Sequence, residues 1–225
     1  MCRSAADYDI IPAMEDKSSG SLPLPTVRRF PIYLRAINEM IAAGEQYISR
    51  YVLAERLGLD TVLARKDLAM TGIAGKPRRG YPAKELREAI NRALGWDNAT
   101  CAVLVGAGSL GSALLGYSGF EEQNLSIAAA FDSNPRRLGV TVHGVKIRPM
   151  KELPCLVRRL KMKLAILAVP GAAAQECCTA LVAAGIKGIL NFTPVQLAVP
   201  ADVIVQNVDL AQPLAVLSHA IARSV

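Results

Sequence analysis

Val103-Leu104-Val105-Gly106-Ala107-Gly108-Ser109-Leu110-Gly111 decides the fold of the second half of this 225-residue chain. The apolar residues read as the end of a strand buried on both faces, and the glycines, spaced G-x-G-x-x-G, open a helix. Each glycine has a separate task. Gly106 permits the tight turn, Gly108 lets a pyrophosphate approach the backbone, and Gly111 lets the helix pack on the sheet, while the phosphates meet the positive end of the helix. Ser109 and Leu110 supply the backbone between the last two glycines and complete the candidate cofactor-binding turn. The next apolar run, Leu125 to Phe131, ends at Asp132, where a carboxylate is placed to accept the adenosine ribose hydroxyls. That carboxylate repels a 2′-phosphate and favours NAD(H) over NADP(H); Arg136 and Arg137 nearby argue the other way. A Rossmann fold that keeps its glycines without a nucleotide is the structural alternative.

The runs Cys101 to Val105, Leu125 to Phe131, Leu164 to Val169, Gly188 to Phe192 and Val203 to Val205 are short, and helical patterns separate most of them. This is the pattern of an α/β domain with a doubly wound parallel sheet, expected over residues 98–209. A last helix, residues 210–225, carries Leu214, Leu217, Ala220 and Ile221 on one face, too apolar to remain uncovered. Residues 1–25 mix Ser, Gly, Pro and acids and read as a flexible tail. From Thr26 the spacing of Ile32, Ala36, Ile37, Met40 and Ile41 predicts a helix stopped at Gly44, with Pro31 in an early turn or kink. Ser49 caps a second helix to Leu57, Gly58 takes the left-handed stop, and Asp60 caps a third from Thr61 to about Met70. Two short helices at a tight turn form a helix-turn-helix pattern. Gly72 to Tyr81 suits a β-hairpin with a basic tip, and Pro82 starts a fourth helix that ends at Gly95. Together, residues 26–97 read as a winged-helix domain.

With 52% apolar and 20% charged residues, wholesale disorder is excluded. No apolar run reaches the ~18 residues of a membrane span, and the first 20 residues do not resemble a signal peptide, so a soluble, cytoplasmic protein without a membrane partner is expected. The net charge of +7 is uneven: residues 1–25 are net acidic, and residues 26–95 carry 13 Lys/Arg against seven Asp/Glu. A small basic domain beside a weakly basic one points to nucleic acid, with a solvated basic face as the alternative. Cys2, Cys101, Cys155, Cys177 and Cys178 lack C-x-x-C spacing and read as reduced, mostly buried thiols; no metal site is expected.

A dehydrogenase needs an acid or base beside the nicotinamide and a second domain for substrate. The only histidines, His143 and His219, sit in a glycine-flanked turn and on the last helix, and both read as structural or surface residues. No catalytic residue is expected.

Arg65-Lys66-Asp67-Leu68, Gly75-Lys76-Pro77-Arg78-Arg79-Gly80-Tyr81, Gly106 to Leu114, Tyr117-Ser118-Gly119-Phe120 and Gly188 to Pro194 together resemble the Rex family of redox-sensing transcriptional repressors. The resemblance covers residues 26–225. It implies a homodimer that binds a palindromic operator, permitted by NAD+ and released by NADH, with the last helix exchanged between subunits. It also implies a polar relay of Arg35, Tyr117 and Asp209. On this reading the helix from Thr61 enters the major groove with Arg65 and Lys66, with Asp67 expected to orient one of them. Lys76, Arg78 and Arg79 reach a minor groove or phosphates, and Ser49 and Tyr81 touch the DNA backbone. Pro170, Phe192 and Tyr117 line an apolar pocket that favours the neutral nicotinamide of NADH, because desolvating an unpaired cation is costly. The chain departs from the family at Arg50, Leu63-Ala64, Thr71 and Pro77-Arg78-Arg79, all in the DNA reader. A small NAD-dependent reductase and a CoA- or nucleotide-sensing Rossmann protein are the alternative readings.

Overall fold

The computed structural model describes residues 22–96, 100–121 and 124–224. The expected tail up to Ser21 and the junction at Asp97 to Ala99 lie outside the described residues. The chain forms two compact units that divide between Ala99 and Thr100.

In the first unit, α1 (Leu24–Ala42) starts two residues earlier than the spacing predicts, because the Pro23 carbonyl already accepts from Thr26 and Val27. Pro31, expected in an early turn or kink, lies inside this helix. The burial of Phe30, Tyr33, Leu34, Ile37 and Met40 on the same helix outweighs the hydrogen bond that proline forfeits. Ser49 accepts from the Tyr51 amide to start α2 (Arg50–Leu57), and Gly58 ends it at φ +62°. Asp60 accepts from the Val62 and Leu63 amides and starts α3 (Thr61–Ala69). These helices and α4 (Ala83–Leu94) close over a core that includes Leu53, Leu68, Leu86 and Ile90.

The expected hairpin takes a different form. β1 (Tyr47–Ile48) pairs antiparallel with β2 (Tyr81–Pro82), so the second strand of the wing finds its partner before α2. Within the wing itself a single bridge joins Lys76 to Gly80. Gly80 has φ +92°, and a Cβ there would run into the Ile48 carbonyl, so only glycine fits.

The second unit is built on a seven-stranded sheet rather than five. Its strands are β3 (Thr100–Val105), β4 (Leu125–Asp132), β5 (Thr141–Val142), β6 (Val145–Pro149), β7 (Leu164–Leu167), β8 (Gly188–Asn191) and β9 (Ile204–Asn207), in the order β5-β6-β4-β3-β7-β8-β9. All pairs are parallel except β5 with β6, and Ala128 bulges out of β4 beside β3. The order reverses beside β3, the switch point where doubly wound sheets bind ligands.

The two faces of the sheet are covered unequally. On one face, Val103, Val105, Phe131, Leu167 and Ile189 pack under α7 (Leu153–Arg159) and α8 (Gly171–Ala184). On the other, Leu104, Ala130 and Ile166 meet Leu114 and Leu115 of α5 (Ser109–Leu115) and Phe120 of α6 (Ser118–Glu121). Toward β9 this face opens into an apolar cavity of about 280 Å³ lined by Phe120, Leu164, Ile166, Leu190 and Ile204. The last helix, α9 (Ala211–Ser224), leaves Leu214, Val216, Leu217 and Ile221 exposed. Among the described residues no helix is long and apolar enough to cross a membrane.

Candidate dinucleotide and nucleic-acid sites

The turn after β3 is held by the chain's own polar groups. Gly106 has φ +95°, and a Cβ on it would meet the Ala168 carbonyl and the Val169 side chain. A Cβ on Gly111 would strike the Gly106 carbonyl oxygen, so this glycine serves the approach of α5 to the turn. Gly108 differs from both. The atoms within 4 Å of a Cβ there belong only to the Arg137 guanidinium, the nearest at 3.2 Å, which leaves a cradle open to an incoming group. This is the arrangement a dinucleotide pyrophosphate needs, and the residues present fit it.

Asp132, at the end of β4, is buried and joins the two loops of the switch point. Its Oδ2 accepts from the Ala107 amide at 2.9 Å and from Arg137 Nη1 at 3.2 Å, while Oδ1 accepts from the Asn134 amide at 2.7 Å. Burial pushes this carboxyl up, but the amides of Asn134 and Ala107 and the Arg137 guanidinium outweigh it and hold the group below the usual carboxylate range. The carboxylate therefore also fixes the shape of the glycine turn, a role that the expected ribose contact does not include. Ser109 and Leu110 are exposed on the first turn of α5.

Pro170 and Phe192 follow β7 and β8 at the same carboxyl edge of the sheet as Gly106. Pro170 is exposed and precedes α8, and Phe192 packs half-buried against the Leu104 layer. Tyr117 lies beyond the far end of α5 from the glycine turn. It is 52% exposed, and its ring meets Phe120 edge-on at 5.0 Å. Of the expected relay, Arg35 is exposed in the first unit, and Tyr117 and Asp209 are exposed in the second. Asp209 Oδ1 accepts from the Ala211 amide at 2.8 Å and caps α9.

On the first unit, Arg65 and Lys66 are exposed on α3. Asp67, expected to orient one of them, instead turns away from both and binds Arg29. Its carboxylate is 2% exposed and takes Arg29 Nε and Nη2 at 2.7 Å each, Thr26 Oγ1 at 2.9 Å and the Tyr33 hydroxyl at 3.2 Å. Helical spacing points Asp67 inward from its basic neighbours, onto α1. Burial pushes the Asp67 carboxyl up, and the hydrogen bonds from Arg29 and Thr26 override this and leave it lowered.

The wing presents exposed Lys76, Arg78 and Arg79, with Arg78 in the left-handed region at φ +59°. The Tyr81 ring packs on Gly75. Tyr47, missed by sequence reasoning, gathers two of these cations. Lys76 Nζ donates to its hydroxyl at 3.4 Å, and Lys76 and Arg79 stand 5.4 and 5.5 Å from its ring centre. The hydrogen bonds to Lys76 and Arg79 lower the Tyr47 phenol from its ordinary value. The aromatic at the start of a two-residue strand was its only signal. Ser49 is engaged as the cap of α2, and Arg50 beside it donates to the Tyr51 hydroxyl at 2.8 Å.

The cysteines are less buried than expected. Cys178 is buried and Cys101 and Cys177 half-buried, but Cys155 is exposed, since it points away from the sheet on α7. Burial pushes the Cys177 and Cys178 thiols up, away from the reactive thiolate form. Among the described residues no cluster of His, Cys, Asp and Glu is set to hold a metal.

A basic helical unit followed by a dinucleotide-type sheet defines a ligand-responsive DNA-binding regulator, and comparisons with known proteins agree. Residues 97–195 match the model of the CoA binding domain, and residues 21–69 that of a putative DNA-binding protein N-terminus. The chain is 48% identical over 193 residues to the redox-sensing transcriptional repressor Rex of Treponema denticola, covering 86% of this chain and 92% of that protein. It is 39% identical to the Rex protein of Carboxydothermus hydrogenoformans, over 90% of this chain and 97% of that one. Among solved structures, RSP, a Rex-family repressor, in complex with beta-NAD+ and operator DNA superposes with a TM-score of 0.83 at 32% identity, over 92% of this chain and 95% of that one. RSP in complex with beta-NADH superposes at 0.77, over 90% and 95%. The chain belongs to the Rex family of redox-sensing transcriptional repressors. It is a regulator and not an enzyme.

Proposed function

We propose that this chain reads the NADH/NAD+ ratio: as a homodimer it binds a palindromic operator, NAD+ permits that binding, and NADH releases it. The observation that carries the cofactor half is the hydrogen bond that the Ala107 amide donates to Asp132, which sets a strand-end carboxylate against an open glycine turn. Gly106, Gly108, Ser109, Leu110 and Gly111 hold the dinucleotide, and Asp132 has a remaining lone pair on Oδ1 for a ribose hydroxyl. When bound, the dinucleotide supplies a nicotinamide whose charge differs between its two redox states. Phe192 and Pro170 offer that ring an apolar surface, which favours the neutral form, whereas Tyr117, beyond the far end of α5, does not lie beside them.

On the other unit, residues 26–97, Arg65 and Lys66 read the major groove, Lys76, Arg78 and Arg79 the minor groove or phosphates, and Ser49 and Tyr81 the DNA backbone. Residues 98–209 form the sensing domain and residues 210–225 the dimerisation helix, exchanged between copies. Arg35, Tyr117 and Asp209 exchange partners between two arrangements and couple the sensor to the reader. Support for the homodimer comes from the exposed apolar face of α9, which a second copy would cover.

The test is a titration of duplex operator binding at fixed salt with NADH, NAD+, NADPH and CoA as separate effectors. NADH alone is expected to release the DNA, and a roughly 100-fold preference of NADH for the free form corresponds to about 2.7 kcal/mol of coupling. Release by CoA in place of NADH would favour the CoA-sensing reading. DNA binding indifferent to all four would defeat the proposal and revive the reductase, which predicts turnover of NADH.

A further inference from the structure

The turn after β4 ends in a cation aimed back at the glycine loop. Asn134 accepts from the Arg136 amide through its side chain and from the Arg137 amide through its carbonyl, which folds residues 134–137 into a short 3₁₀ turn. The Arg137 side chain thereby returns to Asp132 and lies across Gly108. Its guanidinium stands 3.2 Å from the position of a Gly108 Cβ, where a ligand must pass closest to the backbone. One nitrogen, Nη1, is held by Asp132, and the side chain remains 41% exposed, so the fork keeps donors for a second anion.

We propose that Arg137 is a diphosphate-binding residue of the dinucleotide site: held by Asp132 over Gly108, its guanidinium donates to the pyrophosphate of the bound nucleotide. This rests on the dinucleotide reading of the glycine turn. The alternative role for a base at this place is recognition of a ribose 2′-phosphate, and the geometry favours the diphosphate. Asp132 anchors the guanidinium from the ribose side, and a carboxylate there repels the dianion that a 2′-phosphate reader would have to accept. Both terminal nitrogens lie within 4.0 Å of where a Gly108 Cβ would stand, the tethered Nη1 nearest at 3.2 Å, beside the glycine whose missing side chain makes room for the pyrophosphate. A planar fork with one arm tethered loses little further freedom when the other meets phosphate.

Binding of ADP, adenosine, NADH and NADPH to the full chain distinguishes the two roles, using Arg137→Gln and Arg137→Lys beside the unaltered protein. Thermal melts of each variant identify any loss of fold, and Arg137→Lys keeps the charge that Asp132 requires. Arg137→Gln is expected to weaken ADP and NADH alike by on the order of tenfold, the usual cost of a lost charge-assisted hydrogen bond, and to leave adenosine unchanged. Arg137→Lys should recover part of the loss, since it restores the charge but not the fork. Unchanged or tighter ADP binding in a folded Arg137→Gln variant would overturn the proposal, as would a loss confined to NADPH. Failure of the unaltered chain to bind either NADH or ADP would instead overturn the cofactor reading, and this inference with it.

Discussion

Arg29 on α1 grips Asp67 on α3 with two parallel hydrogen bonds of 2.7 Å, from Nε to Oδ2 and from Nη2 to Oδ1. The pair fastens the inner side of α3 to α1, while Arg65 and Lys66 face outward from the same helix. The orientation of the face proposed to read DNA therefore depends on a carboxylate that is itself buried.

Removal of one partner from a buried ion pair leaves the other charge uncompensated, so Asp67→Ala is expected to destabilise the first unit by about 3–5 kcal/mol. Chemical denaturation followed by far-UV circular dichroism measures this. DNA binding should fall with it and NADH affinity should not, because the glycine turn belongs to the other unit. A variant as stable as the parent would remove the pair from the account of the fold.

The lowered Asp67 carboxyl also sets a pH dependence. A group with a folded pKa below its unfolded value, ~3.9 for Asp, stabilises the protein above that value and loses this contribution as pH falls through the folded pKa. Asp132, lowered as well, acts in the same direction. Melting temperature should thus be flat with respect to these groups from about pH 5 to 8 and decline below ~4. In Asp67→Asn the decline should be shallower, as a series of melts across that range will show.

Lys66→Ala or Arg79→Ala should weaken operator binding by about 1–3 kcal/mol and leave cofactor binding intact. Tyr47→Ala should reproduce part of the Arg79→Ala loss, since the Tyr47 ring steadies Lys76 and Arg79. Tyr47→Phe retains the ring and should recover most of it. Anisotropy measured at several salt concentrations separates a lost phosphate contact, which lowers the salt slope, from a misplaced wing.

Asp132→Ala deletes the acceptor of two backbone amides and of Arg137. NADH affinity should drop, and the preference for NADH over NADPH should narrow. Equal affinity of the unaltered protein for the two dinucleotides would count against Asp132 as the ribose carboxylate.

Truncation before Leu210 removes α9 and its exposed leucines. Sedimentation of the shortened chain is expected to show monomers or aggregates. A well-behaved dimer would reject the exchanged helix.

What was legible in the sequence was local. Ser49, Gly58, Asp60 and Gly95 punctuate helices through bonds to their own neighbours, and the glycine motif with Asp132 carries its context in one strand-turn-helix-strand unit. Elements that exist only through distant pairing were not legible. β1 is two residues long and pairs with β2 beyond two helices, so it has no periodicity to read; β5 and β6 differ, being a local hairpin in which Val145-Lys146-Ile147-Arg148 alternates apolar and basic residues, a strand signal present in the sequence. Asp67 misled because its sequence neighbours are basic, whereas its partner Arg29 is 38 residues away. Tyr47 was overlooked for the same reason: its cations arrive from the wing 29 residues later. In the sequence Arg137 bears only on cofactor choice, because nothing there shows that its turn folds back over Gly108.

The exposed face of α9 has a genetic consequence. If subunits join through it, a copy whose wing has lost its cations still assembles with intact copies and spoils the operator-reading pair it enters. A wing-defective allele such as Arg78→Ala with Arg79→Ala should then be dominant when expressed beside the ordinary gene. The same allele ending before Leu210 should be recessive.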